Sequence, residues 1–298
     1  MNAINSPSEP IVAGRSIRVM AARRWRGGWR FSLYGLALSL LSLIILACFV
    51  LPLVPALPPP VGGNVIESNL PILSHGHSLG TDGNGNDVLS RIVHGGRTSL
   101  LIAIAVNLIG LAIGGALGAT SAYVGGLADV IIMRTLDALM AFPPLILVLA
   151  IAQALGPAAT HTIWALAFFS IPAFARIARA STLRLREQPF MTAALLAGTP
   201  LWRILARHIT PNVLPQLATF SLLGIGAVIN LEGAVSYLGL GVPLPQPSWG
   251  NMIFDGQRTL SATPALVLLP CAFLFLTVLS FNLLSDRLRA RWEVRSER

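Results

Sequence analysis

The chain has 298 residues, of which 54% are hydrophobic and only 11% are charged, and its formal net charge is +9 at pH 7. The charged share is less than half of the roughly 25% that is usual in soluble domains, which excludes a soluble fold. Residues 31–57 alone carry no Asp, Glu, Arg or Lys. This stretch exceeds the roughly 20 residues that cross the hydrocarbon of a bilayer. The composition therefore predicts an all-α integral membrane protein.

Apolar stretches along the chain predict six transmembrane helices. They lie at residues 31–53, 100–123, 143–155 with a backward extension over 130–140, 162–177, 213–237 and 265–284. Cys48 and Cys271 both fall within such stretches, where a thiol behaves as a small hydrophobe, so we assign them no function.

All 21 Lys and Arg positions are arginine. The absence of lysine excludes a nucleotide-binding loop of the GKS or GKT type in this chain. The arginines cluster at the ends of the predicted spans, which is an orientation signal and not the signature of a nucleic-acid-binding protein. With the N-terminus inside, eighteen arginines fall inside and only Arg91, Arg97 and Arg258 fall outside. We therefore expect both termini in the cytoplasm and the first apolar stretch retained as an anchor, not cleaved as a signal peptide.

These patterns divide the chain into successive segments. We predict a cytoplasmic N-terminal segment at 1–30, a first transmembrane helix at 31–57, and an external segment at 58–97 that ends in an interfacial helix beginning at Val88. A permease core with five transmembrane helices follows at 98–285, and a cytoplasmic tail at 286–298. The Pro- and Gly-rich residues 51–80 predict an irregular external loop that covers the outer mouth.

Two features of the outer loop invite a metal interpretation. Asp82, Asn84 and Asn86 alternate as in a calcium-binding loop, but the pattern fails where a glycine and a final glutamate are required. His75 and His77 form an H-x-H pair that would suit nickel, although solvated histidines are the simpler interpretation. We therefore assign no metal ligand.

The second span carries glycines at four-residue spacing, Gly110, Gly114 and Gly118. This spacing puts them on one helix face and favours close helix packing in lipid. Packing within the chain is the simpler interpretation, and contact with a second membrane subunit is the alternative.

The polar segment 187–215 interrupts the apolar spans on the inner side. Pro189 can open a short helix, Gly198 can end it, and Thr199 with Pro200 can supply the N-cap and first turn of a second helix. Phe190, Ala193, Ala194 and Leu195 form a small apolar stripe that suits the groove of another protein. A membrane-surface helix without a partner is the alternative.

This inner segment resembles the EAA loop of the permeases of binding-protein-dependent ABC importers. The matching residues are Ala193-Ala194, Gly198 and the closing His208-Ile209-Thr210-Pro211. Three other segments resemble signatures of the peptide and nickel importer subfamily: GTD at 80–82 with DVLSR at 87–91, SYLGLGV at 236–242 with PSWGNM at 247–252, and FNLL at 281–284 with Asp286 and Arg289. Together they cover roughly residues 78 to 290 in the expected order.

The resemblance implies a type I ABC importer permease (MetI-like) fold with a cytoplasmic coupling helix, located in the bacterial inner membrane. It implies a homologous second permease, two ATPase subunits and an extracytoplasmic solute-binding protein as partners, with ATP and Mg held by the ATPases and no cofactor bound by this chain. Peptides are the expected cargo, with nickel or another small solute as the alternative. The ATPase-coupling residues would be Phe190, Thr192, Ala193, Ala194, Gly198, Arg203 and Arg207.

Two positions depart from the family pattern. Thr192 stands where the EAA loop usually has glutamate, and Asn86 stands where the first signature usually has arginine. The lever of the coupling loop would be 189–198, docked through Phe190, Ala193 and Ala194. Leu195, Trp202, Ile204 and Leu205 would tie this lever to the spans.

Polar residues inside spans are costly in lipid and usually face a bundle interior or a cavity. The candidates for a substrate pathway or gate are Asn107, Gln153, Asn230 and Glu232. For Glu232, a bond to a neighbouring helix would give the same sequence pattern. Asp137 follows Arg134 by three residues, which predicts an ion pair within one helix.

Two other functions fit less well. An ion-coupled secondary transporter would need no structured inner loop, and it would more often show unwound or charged segments in paired halves. A membrane-embedded hydrolase would need a nucleophile with its base or a zinc motif within the spans, and the five histidines lie in loops or at span ends. The sequence predicts a transport subunit and not an enzyme.

Overall fold

A computed structural model describes residues 33–55 and 57–296, with side chains described as far as Ala290. The predicted cytoplasmic segment 1–30, the start of the first span at Phe31 and the last arginines of the tail lie outside this description. Helices dominate the described residues, which contain isolated β-bridges but no β-strand. The predicted all-α class is confirmed.

Eleven α-helices follow one another in the described part of the chain. They are α1 (33–50), α2 (Val88–Ile109), α3 (Gly115–Val124), α4 (Gly126–Met140), α5 (Pro144–Leu155), α6 (Ala159–Arg186), α7 (Pro189–Leu196), α8 (Leu201–Ile204), α9 (Thr210–Tyr237), α10 (Trp249–Gly256) and α11 (Ala265–Ser296). Wider π turns at Gly110–Gly114 and Leu205–Ile209 join α2 to α3 and α8 to α9 without a break.

Five helical segments of the described chain are long and apolar enough to cross a membrane, and a sixth crossing is formed if the bent pair α4 and α5 counts as one span. The two members of this pair meet at an angle of 81°. The predicted third span is therefore not one continuous helix. Pro143 and Pro144 explain the break, because proline lacks a backbone N–H and disfavours helical geometry in the residue before it.

The predicted interfacial helix at 88–97 is the beginning of the second span, which runs unbroken over Val88–Val124. Its apolar residues Val88 and Ile92 are buried in a cluster with Met252 of α10, against which Leu266 and Leu269 of α11 also pack. These first turns thus pack against protein. Asp87 caps the helix, because its carboxylate accepts a hydrogen bond from the backbone N–H of Ser90 at 2.7 Å.

The three spaced glycines lie against α6 of the same chain. A Cβ added at Gly110 would fall 2.1 Å from the hydroxyl of Ser170, and one at Gly114 would fall 2.3 Å from the carbonyl oxygen of Ile171. At Gly118 it would fall 2.1 Å from the carbonyl oxygen of Ala175. Side chains larger than hydrogen at these positions would push α2–α3 and α6 apart.

Two large apolar clusters stabilise the described bundle. One joins α1, α2, α5, α6, α9 and α11 around Trp249 and Phe281. The other lies at the end of the bundle where α3 and α6 finish and α9 begins, and it includes Phe174, Met191, Ile204 and Ile209. This second cluster holds the inner segment against the spans.

Candidate coupling surface and pathway residues

The inner segment folds into a short helix with defined ends. Pro189 occupies the first helical position of α7. Beyond its end, Gly198 has φ +67° and donates to the carbonyl of Leu195, while the N–H of Thr199 donates to the carbonyl of Ala194. These two bonds form the Schellman arrangement that ends many helices at a glycine. The predicted start and stop of this helix are confirmed.

The second short helix, α8, begins one residue later than predicted. Pro200 has extended geometry and occupies the N-cap position, so Thr199 does not cap α8. The backbone N–H groups of Arg203 and Ile204 donate to the Pro200 carbonyl. Proline suits this position because it has no N–H group to leave unpaired.

Buried side chains anchor the two short helices. Met191 of α7 and Ile204 of α8 are 1% and 0% exposed, and both pack in the cluster with Ala178 of α6 and Ile209. The sequence identified Ile204, and also Leu205, which packs against the cluster, but not Met191. Met191 lies in a helix of eight residues that are nearly all apolar or small. The sequence therefore does not show which side of this helix faces the bundle.

The same inner segment also exposes large apolar side chains. Leu196 is 86% exposed and Trp202 is 65% exposed. Their exposed neighbours are Phe190, Leu195 and Leu201. The prediction that Leu195 and Trp202 tie the segment to the spans is wrong, because Met191, Ile204 and Ile209 already occupy the inward positions. We call the five exposed residues, together with the exposed Thr192 and Ala193, the coupling surface.

The remaining predicted coupling residues border this surface. Ala194 is half-buried, and Gly198 is exposed at the end of α7. The guanidinium of Arg203 lies 5.1 Å from the centre of the Trp202 ring, and Arg207 is exposed on the following turn. The coupling surface is thus apolar and bordered by cations.

Ion pairs join α4 to α6 near this end. Arg179 donates to Asp129 from Nε and Nη2 at 2.8 and 2.7 Å, and Arg176 donates to Asp137 at 2.7 Å. The predicted pairing of Asp137 with Arg134 is wrong. The guanidinium of Arg176 on the facing helix pairs with the carboxylate instead, at an exposed position between α4 and α6.

The four polar candidates within the spans have different environments. Asn107 is buried, donates to the Ala103 carbonyl at 2.9 Å, and holds its side-chain oxygen against Gly224 of α9. Gln153 and Asn230 are exposed on α5 and α9. Asn107 therefore makes a buried contact between helices, whereas the amides of Gln153 and Asn230 are accessible.

Glu232 is fully buried and lies on the opposite side of α9 from Asn230. One carboxylate oxygen accepts a hydrogen bond from the hydroxyl of Ser236 at 2.7 Å, and Ser99 of α2 and Ser248 lie beside the carboxyl group. In this conformation Glu232 contacts neighbouring helices and does not line the cavity between α6, α9 and α11. The alternative of a contact between helices thus fits its position.

Trp249 packs several helices together at the end of the bundle where α2 begins. Its indole N–H donates to the carbonyl of Ile92 at 3.1 Å, and its side chain is fully buried. Ser248 and Asn251 form a capping box at the start of α10. A Cβ on Gly96 would fall 2.6 Å from the Trp249 ring. The PSWGNM segment therefore acts as a packing element between α2 and α9.

The outer loop uses its charged groups for its own fold. The Asp82 carboxylate accepts hydrogen bonds from the backbone of Asn84 and Asn86 and lies 3.3 Å from Nε of Arg91. The His77 ring bonds to Asp87 at 2.8 Å, while His75 is exposed. Among the described residues, no group of three or more His, Cys, Asp or Glu side chains is arranged to hold a metal ion.

This helical bundle, with an anchored short helix at one end that exposes apolar side chains, is that of a multi-spanning membrane protein with a surface suited to a partner. Residues 110–295 match the family model described as the inner membrane component of binding-protein-dependent transport systems. The matched segment covers more than half of the chain and includes the whole inner segment.

Named relatives agree with this match. The glutathione transport system permease protein GsiD of Pectobacterium atrosepticum is 41% identical over 216 residues, which cover 72% of each chain. The dipeptide transport system permease protein DppC of Alkalihalophilus pseudofirmus is 36% identical over 85% of this chain and 84% of its own. The oligopeptide transport system permease protein OppC of Haemophilus influenzae is 38% identical over 74% of this chain and 71% of its own.

A solved structure agrees on the fold. A chain of the inward-facing MetNI methionine ABC transporter superposes with a TM-score of 0.54 at 16% identity, covering 67% of this chain and 95% of that one. The predicted MetI-like fold is confirmed.

The chain belongs to the family of inner membrane components of binding-protein-dependent transport systems, which are the permease subunits of ABC importers. It is a multi-pass inner membrane protein and a transport component. Permeases of this kind work with another permease, with ATPase subunits that use ATP and Mg, and with a binding protein.

Proposed function

We propose that this chain forms one half of the translocation pathway of an ATP-driven importer of peptides. The class of cargo is supported by the relatives, whose names specify glutathione, dipeptides and oligopeptides, all of which are peptides. A homologous second permease completes the pathway, two ATPase subunits hold ATP and Mg, and an extracytoplasmic binding protein delivers the peptide. This chain binds no cofactor of its own.

The coupling surface carries the proposal. Leu196 and Trp202 are exposed on a segment that Met191 and Ile204 fix to the bundle. Large exposed apolar patches mark interaction sites, and a helix presenting such a patch fits a groove in a partner. Because the inward residues are buried, a movement of the partner is transmitted to α6 and α9 instead of being absorbed by a flexible loop.

In this arrangement Phe190, Thr192, Ala193 and Ala194 contact an ATPase subunit, and Gly198 sets the end of the coupling helix. Arg203 and Arg207 supply cations at the edge of the contact. Thr192 leaves the docked face uncharged, so contact depends on shape and on these arginines.

The orientation of the chain follows from the same proposal. The coupling surface faces the cytoplasm, so both termini are cytoplasmic, with residues 1–30 and 286–298 on that side. The loop 58–87 and α10 face outward, towards the binding protein. The core of the permease is the segment 98–285, and the coupling loop is 187–212.

Uptake by the reconstituted complex tests the proposal. Proteoliposomes holding the purified complex receive a radiolabelled dipeptide together with the binding protein, with or without ATP and Mg on the ATPase side. We expect accumulation that requires ATP. Accumulation driven by an ion gradient without ATP would identify a secondary transporter, and uptake of nickel in place of the dipeptide would overturn the peptide assignment.

A charge placed on the coupling surface tests its role. Ala193→Glu puts a carboxylate on an exposed position of α7, so the fold is preserved while the apolar contact is lost. We expect the complex to hydrolyse ATP without peptide-dependent stimulation and to take up little peptide. The matched control is Ala290→Glu, at an exposed alanine of α11. Normal stimulation in Ala193→Glu, or equal loss in both variants, would contradict docking at α7.

A further inference from the structure

Polar residues form a stripe along one face of α9. Asn212, Gln216, Thr219 and Asn230 are spaced so that, at about 100° per residue, they fall within a sector of about 60°. Leu223 and Ala227 fill the intervening turns of the same face. Asn212, Gln216, Ala227 and Asn230 are exposed, while Thr219 and Leu223 are half-buried. We call these six residues the α9 stripe.

The lower part of the stripe opens into a cavity of about 550 Å³ between α6, α9 and α11. Volumes of this order hold small-molecule ligands. The cavity is lined by four residues of the stripe, Asn212, Gln216, Thr219 and Leu223, and by Ile177 and Ser285 from the other two helices. The hydroxyl of Ser181 donates to the Gln216 side-chain oxygen at 2.5 Å, which fixes the amide at the cavity wall.

Asn212 donates to the His208 carbonyl at 2.6 Å, but the exposed amide of Asn230, further along the same face of a membrane-spanning helix, cannot face lipid at low cost, because polar groups in hydrocarbon lack partners. The opposite side of α9 provides the contrast. There Glu232 is fully buried, and the exposed residues near the inner end are Thr210 at the helix start and the apolar Leu214 and Ala218 in the next turns. The two exposed sides of α9 therefore differ in polarity, because one carries amide side chains and the other carries mainly apolar ones.

The charge of the cavity specifies its ligand. Arg184 of α6 and Arg289 of α11 line it, and Arg289 also interacts within the protein, so Arg184 is the cation that the lining offers to a ligand. Phe220 and Leu223 provide an apolar wall deeper in the bundle. Such a site fits a solute with a carboxylate at one end and apolar groups beyond it, because arginine guanidinium groups bind carboxylates through directed hydrogen bonds.

We propose that the α9 stripe is this chain's wall of the water-filled pathway, and that Arg184 binds the C-terminal carboxylate of a peptide at the inner end of that pathway. The inference rests on the proposed importer function and deepens it. The inference places Asn230 and the residues that line the cavity in the pathway, and it places Glu232 outside the pathway. The C-terminal carboxylate, which every unmodified peptide carries, is the recognised group.

Accessibility of single cysteines tests the aqueous wall. In a background with Cys48→Ala and Cys271→Ala, we compare Gln216→Cys with Ala218→Cys, two residues apart at the same depth but on different faces. A charged thiol reagent that does not cross membranes is applied from the ATPase side of the reconstituted complex. A charge entering hydrocarbon costs more than about 2.5 kcal/mol, so we expect Gln216→Cys to react at least about tenfold faster. The aqueous wall would be overturned if the two cysteines reacted at equal rates or if Ala218→Cys reacted faster. It would also be overturned if neither reacted, because lipid or another subunit would then cover this face.

Protection of the same cysteine tests the carboxylate site. A dipeptide added on the ATPase side should slow the labelling of Gln216→Cys several-fold, and the same dipeptide with a C-terminal amide should not. Arg184→Gln should remove this difference, and Arg184→Lys, which keeps the positive charge, should restore part of it. Equal protection by acid and amide, or an unchanged difference in Arg184→Gln, would overturn the site.

ATP-driven uptake measured on the same preparations separates the two levels of the proposal. If uptake is intact while labelling or protection shows no selectivity, the α9 assignment is overturned and the importer function stands. If uptake is absent in the complex with wild-type residues at 184 and 216, the importer function itself is overturned.

Discussion

Gly118 shows how a single missing side chain sets a helix contact. Its position lets α3 approach α6 so closely that an added Cβ would lie 2.1 Å from a backbone oxygen of Ala175. Backbone at this contact cannot move aside as the end of a flexible side chain can. Close approach of this kind contributes dispersion between helices, which matters in lipid because apolar burial there gives little driving force.

We expect Gly118→Ala to destabilise the protein by about 1–3 kcal/mol, the usual cost of overpacking a close contact. The control is Gly35→Ala, because an added Cβ there has no atom within 4 Å. Thermal stability in detergent, followed by the loss of the monodisperse species, measures both. A Gly118→Ala protein as stable as Gly35→Ala would show that the α3–α6 contact is looser than described.

Asp255, in the short helix α10, predicts that the stability of the protein depends on pH. Burial raises the pKa of its carboxyl group, while Arg91 and Arg258 oppose the rise and Asp82 adds to it. The folded protein thus holds this proton more tightly than the unfolded chain does. Its contribution to stability is full below the ordinary aspartate pKa of about 4 and is lost as the pH rises through the raised pKa.

We therefore expect the stability of the wild type relative to Asp255→Asn to fall as the pH rises from about 4 towards 7, because asparagine does not titrate. Melting temperatures of both proteins at a series of pH values measure the difference. A constant difference would show that the carboxyl group titrates alike in the folded and unfolded states.

Among the elements, the inner segment shows what sequence patterns specify. Proline and glycine positions predicted both ends of α7, because Pro189 and Gly198 impose geometry by their own covalent structure. The inward face was not predictable to the same degree. Eight apolar or small residues give no periodic contrast, so Met191 was missed, and Leu195 and Trp202 were expected on the wrong side.

The pairing between α4 and α6 shows the same limit. Local spacing within one helix suggested Arg134 as the partner of Asp137, whereas the observed partner Arg176 is 39 residues away. Only the folded arrangement brings these two helices together. Long-range partners of this kind leave no local pattern in a single sequence.

The two α4–α6 ion pairs differ in strength. Asp129 accepts two hydrogen bonds and is 13% exposed, whereas Asp137 accepts one and is 45% exposed. We expect Asp129→Asn to cost about 1–2 kcal/mol. The matched variant Asp137→Asn should cost less than about 1 kcal/mol, as exposed pairs do. The free energy of unfolding in a denaturant series measures both, and a larger loss in Asp137→Asn would reverse this ranking.

At the scale of the whole molecule, length, apolar runs and arginine placement were enough to predict a helical membrane protein, and the ordered signatures were enough to predict its family. The 81° bend between α4 and α5 was missed in the prediction of spans, although the Pro143-Pro144 pair marks it. The spacing of its residues places the α9 stripe on one face once the helix is known. That Glu232 is buried on the other face could be seen only in the structure.

The central claim is that this chain acts as the permease of an assembly whose ATPases bind the coupling surface. The most direct measurement is purification of the tagged chain from its native membrane in mild detergent, with identification of the co-purifying subunits and assay of ATP hydrolysis. We predict a second permease and ATPase subunits in the preparation, with ATP turnover that rises when the peptide-loaded binding protein is added. A chain that purifies alone and still transports peptide after reconstitution would contradict the account.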